Sequence, residues 1–246
     1  MKWWLISILF SVFTLNAQSF EDRQLRFERV REAEFEKDSL LKIQFEHRLM
    51  NYPPYNVYLR AFKEERILEV WVQNGPGDHY QKLRDYPFCK MSGYLGPKRK
   101  QGDEQIPEGF YFIDRFNPTS NFFLSLGVNY PNKVDRKLSD AKDLGGAIYI
   151  HGDCETIGCI PITDDYIKEL YWLCVKSTDN GQAYIPIHIF PYRFATTSNP
   201  FLYEDQKIDT DLHEFWDNLK RGYYFFEEYR QPPSVHIDKQ GKYHFY

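Results

Sequence analysis

Two side chains that could carry out covalent chemistry, His151 and Cys159, lie a few residues apart in the stretch GGAIYIHGDCETIGCIPITDD, which spans Gly145 to Asp165. A cysteine becomes reactive near neutral pH when a histidine within hydrogen-bond reach accepts its proton. The segment between the two residues is short enough to fold back and bring sulfur and ring together. The spacing therefore predicts a nucleophile, Cys159, with His151 as its general base and acid.

Two other kinds of site use the same residue types. A zinc ion could be bound by His151, Cys154 and Cys159, but the spacing lacks the paired C-x2-C knuckle and a fourth ligand, so we expect neither a metal nor another cofactor. Disulfide pairing is the default for an exported chain with four cysteines. Cys159 could pair with Cys154, Cys89 or Cys174. Cys154 could otherwise be a resolving thiol, a small packed residue or a partner of Cys89, whereas Cys174 falls on an apolar helix face. On spacing alone, a disulfide that includes Cys159 remains an open alternative.

The backbone around the cysteine suits nucleophilic chemistry. Gly158 directly precedes Cys159 and permits a sharp turn and a close approach of substrate. The N–H groups of these two residues could face a developing oxyanion. A helix is expected after Thr163, and its N-terminus favours a thiolate, but Asp164 and Asp165 in its first turn offset that effect. We therefore expect the histidine to be the stronger influence on the thiol.

The elements that must position these residues follow from the hydrophobic pattern. AIYIHG predicts a buried strand that ends at His151. The helical spacing of apolar residues from Thr163 to Val175 predicts a helix with Thr163 as its N-cap. NVYLRAFKEERILEVWVQN alternates around a charged turn and predicts a β-hairpin. YPFCKMSG indicates a further strand. An amphipathic helix is predicted from about Asp209 to Glu228, before a closing hairpin in VHIDKQGKYHF.

The order of these elements indicates the fold class. Strands lie before and after the candidate site and helices lie at the periphery, which is typical of an α+β domain built mainly on antiparallel sheet. We expect an N-terminal helical segment over residues 18–50 and a catalytic domain over residues 51–195. Residues 196–246 are expected to add a helix and a hairpin as a C-terminal extension.

The N-terminus predicts export. Residues 1–17 have the layout of a signal peptide, with Lys2, an apolar run from Trp3 to Leu15, and the small residue Ala17. The run is shorter than the roughly 20 residues that a transmembrane helix needs. We therefore expect a protein of the periplasm or cell envelope with no membrane span after cleavage. The formal charge of -4 gives no basic surface, so nucleic acid is not an expected partner.

The segment IHGDCETIGCIPITDD resembles the active-site segment of the YkuD-type L,D-transpeptidases, particularly their YafK-like branch. In that family a strand ends in His-Gly and is followed by a Ser/Thr-x-Gly-Cys box. The corresponding residues here are His151-Gly152 and Thr156-Ile157-Gly158-Cys159. A match of both pieces in order is more specific than a histidine and a cysteine alone.

Two upstream segments extend the resemblance to about residues 57–190. They are GPKRKQGDEQIPEGFYFI and SLGVNYPN. The resemblance makes Lys98, Asp103 and Thr156 candidate substrate-binding residues. The ordinary alternative for Lys98 is a solvated basic loop, and for Asp103 it is a role in a glycine-rich turn.

The resemblance implies a mainly β catalytic domain and an enzyme that acts on peptidoglycan stem peptides. Cys159 would attack the carbonyl after a diamino acid, form a thioester and release the terminal D-residue. His151 would take the thiol proton and later activate an acceptor amine or water. The Gly152 carbonyl would orient the imidazole, and the N–H groups of Gly158 and Cys159 would stabilise the oxyanion.

Two departures from the family box bear on the reaction. The family commonly has a histidine where this chain has Ile157, and an arginine where it has Pro161. Loss of the arginine removes an anchor for a substrate carboxylate. A hydrolase is therefore a rival: an L,D-carboxypeptidase, or an amidase that cleaves the link between peptidoglycan and a wall-linked protein. A second rival is an inactive, disulfide-stapled wall-binding domain.

Overall fold

A computed structural model describes residues 18–195 and 210–246. The expected signal peptide, residues 1–17, lies outside them. The strands are β1 (Asn56–Phe62), β2 (Ile67–Gln73), β3 (Gln81–Pro87), β4 (Gly109–Asn117), β5 (Ser125–Val128), β6 (Tyr149–His151), β7 (Ile160–Pro161), β8 (Ile185–Phe190), β9 (Val235–Ile237) and β10 (Tyr243–Phe245). The helices are α1 (Phe20–Gln24), α2 (Glu28–Glu46), α3 (Lys133–Lys137), α4 (Asp164–Asp179) and α5 (Thr210–Tyr229).

Eight strands form one sheet in the order β3-β2-β1-β8-β4-β5-β6-β7, and β9 pairs with β10 in a separate hairpin. The expected first hairpin is confirmed, because β1 and β2 pair antiparallel from Asn56–Gln73 to Phe62–Ile67. Two strand pairs, β1·β8 and β6·β7, are parallel, and the other pairs are antiparallel. The prediction of an α+β fold on a mainly antiparallel sheet is confirmed.

Both faces of the central strands are covered, which explains their nearly continuous apolar sequences. Helices α2 and α4 pack together and share one core cluster with the sheet. A second core cluster contains Phe215, Trp216 and Leu219 of α5 together with the sheet residues Phe62 and Phe190. Helix α5 is therefore part of the packed domain. Within the described parts of the chain, no helix is both long and apolar enough to cross a membrane.

The boundaries differ from the sequence-based expectation in two places. The strand expected in YPFCKMSG was wrong: β3 ends at Pro87, and the residues after it form a loop. Helix α3 was not anticipated. It is short, and a capping box at Asn132 defines its start, with the Asn132 side chain accepting from the Asp135 N–H and the Asp135 side chain accepting from the Asn132 N–H. Local hydrogen bonds thus override a weak hydrophobic pattern.

A completely buried ion pair joins the sheet, α5 and the loop that precedes β4. Lys63 Nζ lies 2.9 Å from Glu108 Oε1 and also donates to the Gly96 and Ile106 carbonyls. Trp216 Nε1, on α5, donates to the other Glu108 oxygen at 2.7 Å. Burial lowers the pKa of Lys63, and the adjacent Glu108 carboxylate opposes that effect. Each charge is retained inside the protein because the other charge and several hydrogen bonds satisfy it.

We predict that Lys63→Met lowers the free energy of unfolding by about 3–5 kcal/mol, because it leaves the Glu108 carboxylate buried without its partner. Urea unfolding of the full chain measures this change. Lys100→Met is the matched control, because Lys100 is exposed, and its effect should stay within about 0.5 kcal/mol. Equal unfolding midpoints for the two variants would contradict the role of the buried pair.

Candidate active site

His151 is the last residue of β6, and its side chain is almost fully buried. Its Nδ1 lies 2.5 Å from the Gly152 carbonyl oxygen. A carbonyl can only accept a hydrogen bond, so the proton of the neutral imidazole lies on Nδ1 and the lone pair on Nε2. Among the described residues, Nε2 is buried and has no hydrogen-bond partner. The ring is thus fixed in the tautomer that can act as a base.

The position after the histidine requires glycine. A Cβ on Gly152 would lie 2.4 Å from Asp164 Oδ1 and 3.0 Å from the Phe122 carbonyl oxygen. Asp164 Oδ1 also accepts the N–H of Asp153 at 2.7 Å. The turn after β6 is therefore packed closely against the start of α4, and the carbonyl that holds His151 belongs to this turn.

Cys159 directly precedes β7, which runs parallel to β6 with the pairs Ile150–Ile160 and His151–Pro161. Cys159 therefore lies two residues before Pro161, the register partner of His151. The thiol is free, and its nearest hydrogen-bonding contact is the Ala147 carbonyl oxygen at 3.6 Å. The sulfur is not hydrogen-bonded to the imidazole in this state. Such bonds often tighten only when substrate is bound.

Burial makes the resting state of both groups neutral. It lowers the pKa of His151, against the opposing effects of the Gly152 hydrogen bond and the Asp153 charge. It raises the pKa of the Cys159 thiol, and a hydrogen bond with the Tyr149 backbone and the charge of Lys98 only partly offset this. The two groups therefore rest as a thiol and a neutral imidazole rather than as a thiolate–imidazolium ion pair. Such a pair needs general-base assistance for nucleophilic attack.

Thr156 lies inside the loop that carries the cysteine. Its hydroxyl oxygen accepts the Cys159 N–H at 2.8 Å and the Gly158 N–H at 3.3 Å, and the hydroxyl donates to the Cys159 carbonyl at 2.9 Å. Gly158 has a φ of +127°, and a Cβ there would lie 3.0 Å from the Gln105 carbonyl oxygen. The two N–H groups expected for an oxyanion are therefore occupied by Thr156 in this state.

Lys98 is not the solvated basic residue that its sequence context favoured. It is 4% exposed, and its ammonium group bonds to Asp103 Oδ1 at 2.6 Å and to the Lys100 carbonyl at 2.8 Å. Asp103 also accepts the N–H groups of Arg99, Lys100 and Gln105, so it shapes the whole turn. Lys98 is buried because this turn supplies its counter-charge. The same turn meets the nucleophile loop, since Gln105 abuts the glycine before Cys159.

The four cysteines have three different environments. Cys89 and Cys154 form a disulfide across 65 residues of sequence, Cys174 is buried in the core, and Cys159 is free. The Cys89 N–H also donates to the Pro161 carbonyl at 3.1 Å. The loop that begins at Cys89 is thus tied to the segments on both sides of the nucleophile. In residues 18–195 and 210–246, no group of three or more His, Cys, Asp or Glu side chains could hold a metal ion.

One neighbour of the histidine, Phe122, was not singled out from the sequence, and a second, Asp164, was expected only as a helix-start residue. The Phe122 ring stacks on the imidazole with centroids 4.6 Å apart. Asp164 lies in the first turn of α4, as expected, but it also hydrogen-bonds the turn after the histidine. Phe122 lies in an irregular segment before β5, and nothing in its local pattern indicates contact with a distant histidine.

A family profile and a similar protein both connect this chain with the L,D-transpeptidases. The sequence profile of the L,D-transpeptidase catalytic domain, YkuD, matches residues 56–189, somewhat more than half of the chain. A protein of Escherichia coli K12, named as the provisional L,D-transpeptidase YafK, is 36% identical over 196 residues, which cover 79% of this chain and 74% of that protein.

Solved structures with similar folds include the helical cell shape determining protein Pgp2 from Campylobacter jejuni. It is 18% identical with a TM-score of 0.45, and the match covers 74% of this chain and 73% of that chain. A mutant form of Pgp2 is 22% identical with a TM-score of 0.43 over 56% of this chain and 47% of that one. Bd1075 from Bdellovibrio bacteriovorus is 26% identical with a TM-score of 0.40, over 58% of this chain and half of Bd1075.

We predict that Gly152→Ala both destabilises the protein and disturbs His151, because the added methyl group collides with Asp164 and the Phe122 backbone. The expected loss in the free energy of unfolding is about 1–3 kcal/mol. Nitrogen NMR of the imidazole should also show loss of the single Nδ1-protonated tautomer. Gly146→Ala is the control, since nothing lies within 4 Å of a Cβ there. Identical stability and imidazole spectra for the two variants would refute the packing argument.

Proposed function

The chain belongs to the family of L,D-transpeptidase catalytic domains, as its sequence resemblance indicated, and from this premise we propose that it acts on peptidoglycan stem peptides through a thioester on Cys159. The observation that supports the proposal is a free thiol directly before β7 and, at the end of the adjacent strand β6, an imidazole whose Nε2 has no hydrogen-bond partner among the described residues. Family membership supplies the substrate class, and the geometry supplies the roles of the two side chains.

The first half-reaction transfers the stem peptide to the enzyme. His151 Nε2 takes the proton of Cys159 as the sulfur attacks the carbonyl carbon after the diamino acid. The resulting tetrahedral oxyanion collapses, the bond to the terminal D-residue breaks, and the imidazolium returns its proton to the departing amine. The product is a thioester and a neutral His151. The hydrogen bond from Nδ1 to the Gly152 carbonyl stabilises the imidazolium between these two proton transfers.

The second half-reaction releases the acyl group. An acceptor amine or a water molecule loses a proton to His151 Nε2 as it attacks the thioester carbonyl. The thiolate then leaves and takes that proton back from the imidazolium. Transfer to an amine makes a cross-link, whereas transfer to water trims the stem peptide, and the two outcomes differ only in which acceptor reaches the site.

The oxyanion donors in this proposal are the N–H groups of Gly158 and Cys159. Thr156 holds both in the free protein, and its bond to the Gly158 N–H is the longer one at 3.3 Å. We therefore propose that the Thr156 side chain rotates away as the oxyanion forms, so that the oxyanion replaces the Thr156 hydroxyl as the acceptor of these two N–H groups. Its hydroxyl then becomes available to the substrate side of the site.

We propose that Lys98 is the cation that binds the substrate. Its charge acts on the Cys159 thiol, and two of its three N–H donors are used by Asp103 and the Lys100 carbonyl in the described chain. The position at which the family commonly has an arginine is Pro161 here, so Lys98, although it is paired with Asp103, would supply part of the missing positive charge for a carboxylate. Asp103 acts as a positioning residue that keeps Lys98 in place.

A hydrolytic outcome is the second candidate, and Pro161 is the observation that favours it. Without the family arginine the site has less to hold a second, carboxylate-bearing stem peptide as acceptor, and water needs no such anchor. The substrate would then be a stem peptide or a protein linked to peptidoglycan. The adjacent departure, Ile157, is 81% exposed and adds an apolar contact beside the nucleophile.

The inactive, disulfide-stapled alternative receives less support. The disulfide uses Cys89 and Cys154 and leaves the Cys159 thiol free. The same disulfide supports the proposal of export to the periplasm or cell envelope, because such bonds persist in oxidising compartments. The expected signal peptide at residues 1–17 would provide the route.

We predict that Cys159→Ala abolishes turnover of purified muropeptides, with a loss of at least about 10³-fold, because no other group can form the thioester. Chromatography with mass spectrometry identifies the products: new dimers indicate transfer, and tripeptides alone indicate hydrolysis. Cys174→Ala is the matched control, since that thiol is buried in the core, and it should retain activity per folded molecule. Undiminished turnover by Cys159→Ala would end the proposed mechanism.

A further inference from the structure

A second concave site lies on the other side of the Lys98 turn, away from the nucleophile. It is a cavity of about 850 Å³ between the Pro97–Arg99 segment, helix α5 and the turn that joins β9 to β10. None of the residues assigned above to the chemistry lines it. The shared wall is one short loop, in which Lys98 bonds to Asp103 while its neighbour Arg99 lines the cavity.

Helix α5 presents charges of both signs to the cavity. Glu214, Asp217 and Arg221 all line it and follow the spacing of residues that share one helix face. Within residues 18–195 and 210–246, no hydrogen bond or ion pair reaches the side chain of any of these three residues. The rise from Glu214 to Arg221 is about 10 Å along the helix axis. The acidic end and the basic end of this face are therefore separated by about the length of three extended residues.

Arg99 adds a partly exposed guanidinium group to the cavity wall. The guanidinium lies over the Phe215 ring at 5.1 Å. Its Nη1 is shielded from solvent and forms an ion pair with the Asp135 carboxylate at 3.6 Å. Arg99 therefore contributes positive charge to the wall, while its buried nitrogen faces Asp135.

The hairpin turn supplies another cation. Lys242 lines the cavity, and no side-chain hydrogen bond or ion pair to it occurs in the described chain. The next residue, Tyr243, exchanges backbone hydrogen bonds with the Asn218 side chain at 2.8 Å, which places Lys242 beside the helix turn between Asp217 and Arg221. The acidic residues would repel a purely anionic ligand, and the three basic residues, Arg99, Arg221 and Lys242, would repel a purely cationic one.

From these charges we propose that the cavity binds a short peptide, about three residues long and extended along α5, that carries an ammonium group at one end and carboxylates at the other. The ammonium group lies toward Glu214 and Asp217, and the carboxylates lie toward Arg221 and Lys242. This site is separate from the thiol chemistry, and its occupancy does not require a functional Cys159.

The test uses the full mature chain with Cys159→Ala, so that no bound peptide is turned over. The probe is the tripeptide L-alanyl-γ-D-glutamyl-L-glutamate, which has one ammonium group, at its N-terminus, and carboxylates on its second and third residues. Isothermal titration calorimetry should detect saturable binding. Arg221→Gln, Lys242→Gln and Asp217→Asn should each weaken it about tenfold, because each removes one charge contact. These residues are exposed, so the variants should remain folded.

Lys239→Gln is the matched control, because Lys239 lies in the same turn as Lys242 but does not line the cavity, and it should bind like the parent. The N-acetylated and C-amidated probes should each bind about tenfold more weakly. Two results would overturn the proposal. One is absence of binding at millimolar probe. The other is equal affinity for the parent, Arg221→Gln and Asp217→Asn, which would place any bound peptide elsewhere, including the candidate active site.

Discussion

The hydrogen bond from His151 Nδ1 to the Gly152 carbonyl determines what the candidate active site can do. It places the imidazole proton on the nitrogen that faces the backbone and leaves Nε2 with a lone pair. Burial keeps the ring neutral by lowering its pKa, and it keeps the Cys159 thiol protonated by raising the pKa of that group. The proposed pair therefore rests as a neutral thiol and a neutral imidazole, and a neutral thiol is a weaker nucleophile than a thiolate.

This one hydrogen bond depends on the packing of several distant segments. The Gly152 turn fits only because it lacks a side chain facing Asp164, and Asp164 in turn hydrogen-bonds the next backbone N–H. The Cys89–Cys154 disulfide ties the loop between histidine and nucleophile to the segment that follows β3. The parallel pairing of β6 with β7 then sets the register of the cysteine relative to the histidine. Each constraint acts on backbone, so the site is positioned by the fold rather than by its own side chains.

Sequence patterns predicted the features that local chemistry controls. Alternation of apolar and polar residues predicted the hairpin of β1 and β2. The N-cap and the helical spacing of apolar residues predicted the helix after Thr163, and a short apolar run predicted the strand that ends at His151. Three other features depend on how an irregular loop folds or on a contact between separate segments. The burial of Lys98 requires Asp103 to fold around it, and the stacking of Phe122 on the histidine joins separate segments. Thr156 looked available to a substrate, but its hydroxyl is held by the loop that contains it.

The most direct test of the neutral thiol–imidazole pair is the pH dependence of a single acylation of Cys159 by a tetrapeptide muropeptide, followed by intact-mass detection of the enzyme-bound tripeptide. The account predicts that the acylation rate rises with pH through one ionisation below the ordinary histidine value of about 6.5 and is constant at neutral pH. The reason is that the pKa of His151 is lowered, so its base form persists into mildly acid solution. A rate that keeps rising into the range of a free thiol, above about pH 8, or a complete absence of the adduct during turnover, would contradict it.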